Sequence, residues 1–117
     1  MVGISRNALE RVIFNESRGN PYVGMDKSNY SAGIAQISRT VWKTYSKLPY
    51  EESANAKYYE QNITIAAQYL KMLYNRFGNW KEALQAYNVG PTALTQIKAG
   101  LRKLPKITQR YTQNFKG

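Results

Sequence analysis

Residues 63–78 read ITIAAQYLKMLYNRFG. Their apolar members, Ile63, Ala66, Ala67, Leu70, Leu73, Tyr74 and Phe77, recur every three or four positions, which is the spacing of one face of an α-helix. A strand buried on one face would alternate with period two, and nothing here does. Gly78 follows the last apolar position, where a helix ends most easily in a left-handed residue without a Cβ. The stretch predicts a long, central, buried helix.

The same period extends in both directions. Towards the C-terminus, Asn79 is placed to cap a short helix with Trp80, Ala83, Leu84 and Tyr87 on one face, broken by Asn88-Val89-Gly90-Pro91. A further helix follows Pro91 and stops at Gly100. Leu104, Ile107, Tyr111 and Phe115 then form a last stripe, with basic residues opposite. Towards the N-terminus a charged loop reaches back from Tyr59 to Leu48-Pro49, which closes a helix carrying Ile37, Val41, Trp42 and Tyr45 behind a Ser38 cap. Trp42 and Trp80 lie on helical stripes and are expected in the core. Residues 18–32, rich in Gly, Asn, Ser and Pro, read as a loop or irregular hairpin. The first helix holds Ile4, Ala8, Leu9, Val12 and Ile13 behind Ser5 and delivers Asn15, Glu16 and Ser17 at its end. The expected architecture is mainly α, with about six helices and at most a small β-hairpin near residues 20–35.

A chain of 117 residues and 13.4 kDa suits one domain over residues 1–117. Its 43% hydrophobic and 21% charged content is that of a folding domain. There is no His and no Cys. Ser/His/Asp and Cys/His nucleophiles, zinc sites of imidazole or thiolate, disulfides and thiol redox centres are therefore excluded. Neither a metal nor a cofactor is expected, and carboxylates must carry any acid/base chemistry. Seven exist: Glu10, Glu16, Asp26, Glu51, Glu52, Glu60 and Glu82.

The formal charge of +10 favours a polyanionic partner such as nucleic acid, an anionic membrane or a wall polymer. No acid follows Glu82, whereas Lys98, Arg102, Lys103, Lys106, Arg110 and Lys116 do. Such a run is more often a solvated face than a specific site. No apolar run approaches the roughly 18 residues of a membrane span, and no signal peptide is visible. Membrane insertion is not expected.

Glu16 stands where an amphipathic helix meets a Gly/Asn/Pro loop, with Ile13 and Phe14 beside it. A desolvated carboxyl keeps its proton to higher pH and can donate it to a glycosidic oxygen. Its structural alternative is a hydrogen bond to the adjoining loop.

Glu16-Ser17-Arg18-Gly19-Asn20-Pro21 resembles the Glu-Ser-x-x-Asn-Pro motif of soluble-type lytic transglycosylases, peptidoglycan-cleaving members of the lysozyme-like superfamily. Gly33-Ile34-Ala35-Gln36-Ile37 resembles their Gly-Leu-Met-Gln-Ile, and Ala86-Tyr87-Asn88-Val89-Gly90-Pro91 their Ala-Tyr-Asn-Ala-Gly-Pro. Tyr111 falls where a late family tyrosine is expected, so the likeness spans residues 9–112. It implies a lysozyme-like fold with a groove for the glycan strand. It also implies that Glu16 protonates the bond between N-acetylmuramic acid and N-acetylglucosamine, then as carboxylate accepts the proton of the muramoyl C6 hydroxyl. That hydroxyl attacks C1 and leaves a 1,6-anhydro product.

Hydrolytic glycosidases usually need two carboxylates about 5 to 9.5 Å apart. Glu10 lies six residues back on the helix and points elsewhere, and Glu51, Glu52, Glu60 and Glu82 occupy stretches that read as solvated. Asp26 is the exception. Facing a cleft, it would position a water and make the enzyme a hydrolysing muramidase; facing solvent, the favoured reading, it is a turn residue. It competes with Ser28 for the place of a family serine that holds the acetamido group or a water. Gln36 is expected to orient sugar or the catalytic loop, with a helix-end hydrogen bond as the alternative. Tyr87 suits a hydrogen bond near Glu16 or the acetamido group, or core packing. Asn88 suits backbone carbonyls of its turn as well as substrate, and Tyr111 is equally open. Ala35 and Ser38 replace methionines common around the family glutamine, and Ile107-Thr108 stands where an acidic residue and threonine are usual. Subsite preference is thereby left open.

The leading function is a metal-independent, monomeric lytic transglycosylase whose partner is the peptidoglycan glycan strand, acting in the periplasm or cell wall. A phage lysin or virion-associated enzyme and a domain of a larger bacterial protein both fit. The rival from another class is a basic helical nucleic-acid-binding module, which leaves all three motifs unexplained. A catalytically silent wall-binding domain is the third reading.

Overall fold

The computed structural model describes residues 3–26 and 30–116. Among them are six α-helices and one two-stranded antiparallel sheet, the mainly helical, lysozyme-like composition expected. Helices α1 (Arg6–Ser17), α2 (Arg39–Tyr45), α3 (Tyr59–Phe77), α4 (Trp80–Val89), α5 (Pro91–Lys98) and α6 (Lys106–Tyr111) come in that order. Strands β1 (Ser31–Ala32) and β2 (Ile37–Ser38) lie between α1 and α2 and pair Ser31 with Ser38 and Ala32 with Ile37. The chain gathers into two compact units, Val12–Tyr69 and Met1–Arg11 with Leu70–Gly117, whose boundaries fall inside α1 and α3.

In the unit of residues 12–69, Val12, Ala32, Ile34, Ala35, Ile37, Trp42, Tyr50, Ile65 and Ala66 are buried. Ser38 ends β2 in an extended conformation and accepts the Val41 N–H, so one residue both closes the hairpin and starts α2. Trp42 is fully buried, and its indole N–H donates to the Leu48 carbonyl at 2.9 Å. That bond satisfies the one polar atom of the largest side chain in the core. The Tyr50 hydroxyl donates to the Ile37 carbonyl at 3.0 Å, and burial pushes this phenol above its ordinary value. Residues 50–58, expected as plain loop, form two short 3-10 turns, Tyr50–Ala54 and Ala56–Tyr58, the second capped by the Asn55 side chain on the Lys57 N–H. Helix α3 begins four residues before the apolar stripe. Its buried isoleucine is Ile65, and Ile63 is half-buried.

In the unit of residues 1–11 and 70–117, Ala8, Leu70, Leu73, Ala83, Leu84, Ala86, Leu94 and Tyr111 are buried. The Ser5 hydroxyl accepts the Ala8 N–H at 3.2 Å, as a cap of α1 should. Gly78 ends α3 at φ +88°, its N–H bonded to the Tyr74 carbonyl at 2.8 Å, and Asn79 caps α4 through the Glu82 N–H at 2.8 Å.

Three expectations fail in this unit. Trp80 is only half-buried and stacks on Tyr74, with centroids 4.2 Å apart, instead of filling the core. Ile107 is 66% exposed, and the inward face of the last segment is Thr108, Tyr111 and Thr112. The reason is polar: buried Thr108 donates to the Asn88 side chain at 2.7 Å. Turning that hydroxyl inward turns Ile107, one position and about 100° away, outward. Glu82 is not solvated but ion-paired with Lys98, its side chain 25% exposed. Partial burial pushes its carboxyl up, but hydrogen bonds from Lys98 and Asn79 and the Lys98 charge outweigh this and hold it below the ordinary glutamate value. Among the described residues no helix is long and apolar enough to cross a membrane.

Candidate active site

Glu16 occupies the last turn of α1 and is half-buried. The chain leaving the helix is fixed by the residues next to it. The Ser17 hydroxyl donates to the Ile13 carbonyl at 3.2 Å and accepts the Gly19 N–H at 3.1 Å, so one side chain joins the helix end to the turn. Arg18 and Gly19 both take left-handed conformations, with φ of 55° and 80°. Such a pair reverses the chain in two residues, and Gly19 does so without the steric cost a Cβ would bring. The Arg18 guanidinium lies 4.2 Å over the Phe14 ring, and Asn20 accepts the Tyr22 N–H at 2.9 Å before Pro21 stiffens the exit. Each residue of the motif after Glu16 thus serves the turn that leaves the helix.

The second motif is the tight turn between β1 and β2. Gly33 has φ +82°, and a Cβ there would stand 2.3 Å from Asn62 Nδ2 and 2.4 Å from the Ser53 carbonyl oxygen. Only glycine fits. Asn62, fully buried on α3, accepts the Ala35 N–H at 2.8 Å and donates to the carbonyls of Ala32 at 3.0 Å and Ser53 at 3.3 Å. Gln36 also takes a left-handed conformation, φ 50°. Its amide nitrogen donates to the Gly33 carbonyl at 2.9 Å and the Gly24 carbonyl at 3.2 Å, while its oxygen accepts from Ser31 Oγ at 2.9 Å. The two carbonyls fix which end of the amide is which, and this amide spends its hydrogen bonds on the loop.

Asp26 joins the same network. Its Oδ1 accepts the Tyr30 N–H at 2.8 Å and the Ser31 N–H at 3.4 Å, and its Oδ2 faces Ser31 Oγ at 3.1 Å. The single Ser31 proton serves Asp26 or Gln36 at any one moment. Asp26 is half-buried and ties down its turn. Ser28 lies outside the described residues.

Tyr87 and Asn88 sit in the last turn of α4 and Tyr111 at the end of α6, all in the other unit. Gly90, at φ 95°, closes α4 through its N–H on the Ala86 carbonyl, and Pro91 opens α5 at once. Asn88 Oδ1 accepts from Thr108, which leaves the Asn88 NH2 as donor. Tyr87 is half-buried, and Tyr111 is 6% exposed with its carbonyl accepting Arg11 Nη1 at 3.2 Å.

Sequence reasoning missed Asn62, Ser31 and Thr108 as the residues that hold these segments. Asn62 and Thr108 carried a signal, each being a polar residue in line with an apolar helical stripe: Asn62 four before Ala66, Thr108 three before Tyr111. Ser31 carried none, because a serine in a Ser/Asn/Gly loop is ordinary.

Searches of curated proteins and of solved structures found no match. The transglycosylase SLT domain model matches residues 1–110, which takes in all three motifs. The chain therefore belongs to the transglycosylase SLT domain family, whose members are lytic transglycosylases that cleave peptidoglycan.

Proposed function

We propose that the protein cleaves the β-1,4 bond between N-acetylmuramic acid and N-acetylglucosamine by intramolecular transfer, with Glu16 as acid and then base. The Glu16 carboxyl gives its proton to the glycosidic oxygen as the bond to C1 breaks. The muramoyl C6 hydroxyl then adds to C1 and returns its proton to the Glu16 carboxylate, so the enzyme is regenerated and no water is consumed.

The observation that carries the choice of chemistry is the state of Asp26. A carboxylate that activates water for hydrolysis needs a lone pair aimed at that water. Asp26 spends its contacts on the turn it closes: Oδ1 accepts the Tyr30 and Ser31 N–H groups, and Oδ2 shares the single Ser31 hydroxyl proton with Gln36. This favours transglycosylation over the muramidase reading. In the same scheme Gln36 holds the loop, the Asn88 NH2 and the Tyr87 phenol bind the acetamido group or sugar hydroxyls, and Tyr111, Ser28 and Asp26 shape the substrate site.

Glu16→Gln tests the assignment. Release of soluble fragments from purified peptidoglycan is expected to fall by about 10³-fold with unchanged circular dichroism. Retention of more than about a tenth of the rate would remove Glu16 from the mechanism.

A further inference from the structure

A pocket of about 370 Å³ lies at the junction of α3 and α4 and contains none of the motif residues. Tyr74, Trp80 and Phe115 form its apolar walls, and Lys81 and Lys116 stand with Asn79 among the residues lining it. It sits at the N-terminal end of α4. Tyr87 and Asn88 lie at the other end, about 12 Å along the helix axis at 1.5 Å per residue.

The pocket is held in shape from several directions. Trp80 stacks on Tyr74 at 4.2 Å with planes 23° apart. Asn79 fixes the start of α4 through the Glu82 N–H and Glu82 Oε2, at 2.8 and 2.5 Å. The Phe115 wall is secured by Arg11, which donates to the carbonyls of Tyr111 at 3.2 Å and Gln113 at 2.9 Å and lies 5.6 Å over the Phe115 ring. Three rings assembled this way and left partly open to water cost free energy that a ligand would recover.

Charge narrows the ligand. The unit that contains the pocket, residues 1–11 and 70–117, has eleven Lys and Arg against only Glu10 and Glu82, a formal +9 of the chain's +10. Both acids are already paired, Glu10 with Arg6 and Glu82 with Lys98. Lys81 and Lys116 have no ion pair among the described residues, and the Trp80 indole N–H has no hydrogen-bond partner among them. Flat apolar rings, one indole donor and two ammonium groups suit a pyranose face that bears an acetamido oxygen and a carboxylate.

We propose that this pocket is a second binding site, for an acidic amino sugar of the muramoyl-peptide class, separate from the site of bond cleavage. It rests on the reading of peptidoglycan as substrate. Its role is retention: one end of α4 holds a muramoyl-peptide unit while the motif residues work on another, which raises the effective concentration of the polymer.

The test is a titration of ¹⁵N-labelled wild-type protein with N-acetylmuramoyl-L-alanyl-D-isoglutamine, which carries one carboxylate. The two indole resonances are assigned through Trp80→Phe. The Trp80 signal is expected to shift and that of buried Trp42 to stay. Neutral triacetylchitotriose is expected to bind more weakly, and Lys81→Gln with Lys116→Gln to weaken the acidic ligand by about fivefold, the size of two solvent-exposed charge pairs. An unmoved Trp80 resonance overturns the site; equal response to the neutral sugar, or no effect of the double variant, overturns the acidic specificity. Fragment release from peptidoglycan, measured on the same sample, keeps the two readings apart. Release without a Trp80 shift refutes the pocket alone, and a Trp80 shift without release refutes the catalytic reading alone.

Discussion

At the scale of single residues, the second motif is decided by one missing Cβ. In Gly33→Ala the new methyl would overlap both Asn62 and the Ser53 carbonyl, and the residue would keep a left-handed φ that L side chains resist. The overlap and the strain together are expected to cost about 3 kcal/mol, or about 10 °C in Tm for a chain of this length. Thermal unfolding measures this directly; a loss under about 1 kcal/mol would mean that the turn adjusts freely around Asn62. That Glu16 ends a helix and that Gly33 and Gln36 belong to one short motif was legible in the sequence, because a rare combination of side chains at short spacing marks them. Asn62 stood out only as a polar residue in line with an apolar stripe, and what it holds was not legible, since its partners Ala32, Ala35 and Ser53 are backbone groups up to 30 residues away. Backbone partners leave no mark on composition or periodicity.

At the scale of elements, helix existence and caps were readable from local chemistry, whereas the rotation of a short helix was not. Ser5, Ser38 and Asn79 cap where a small polar side chain precedes an apolar period. Helix α6 has only six residues, too few for its stripe to outweigh one buried hydrogen bond between Thr108 and Asn88. Two substitutions separate the readings. Ile107→Lys should change stability by less than about 0.5 kcal/mol, while Thr108→Val, which leaves Asn88 Oδ1 without its donor, should cost about 1 to 2 kcal/mol in urea unfolding. The opposite ranking would restore Ile107 to the core. The tie between α4 and α5 through Glu82 and Lys98 adds a pH dependence. Because the folded Glu82 sits below its ordinary value of 4.5, its contribution is present above that pH and is lost as pH falls through the lower folded value. Lys98 is half-exposed and the pair is screened, so Glu82→Gln is expected to lose about 0.5 kcal/mol at pH 7. That gap should close as pH falls below the folded Glu82 value, and a gap that widens in acid would reverse the sign assigned to Glu82.

At the scale of the whole molecule, the charge that composition shows only as a total is unevenly divided. One unit carries a formal +9, while residues 12–69, with Glu16, Asp26, Glu51, Glu52 and Glu60, carry +1. That division was half legible, as a C-terminal third without acids; the return of residues 1–11 to the same unit was not, because it depends on long-range packing. The aromatic pocket at the α3–α4 junction was hidden for a related reason: Trp80 shares the period of a core residue, and only the tertiary structure shows it half-buried and lining a pocket. The central claim is that one carboxyl, Glu16, both donates and recovers the proton, with the substrate's own C6 hydroxyl in place of water. The mass of the muropeptides released from purified peptidoglycan tests it most directly, with Glu16→Gln as the control. Products lighter by one water than their hydrolytic counterparts, absent from the control, are the predicted result. Reducing-end muropeptides from the wild type would contradict it and would put a water, positioned by a second group such as Asp26, at the centre of the reaction.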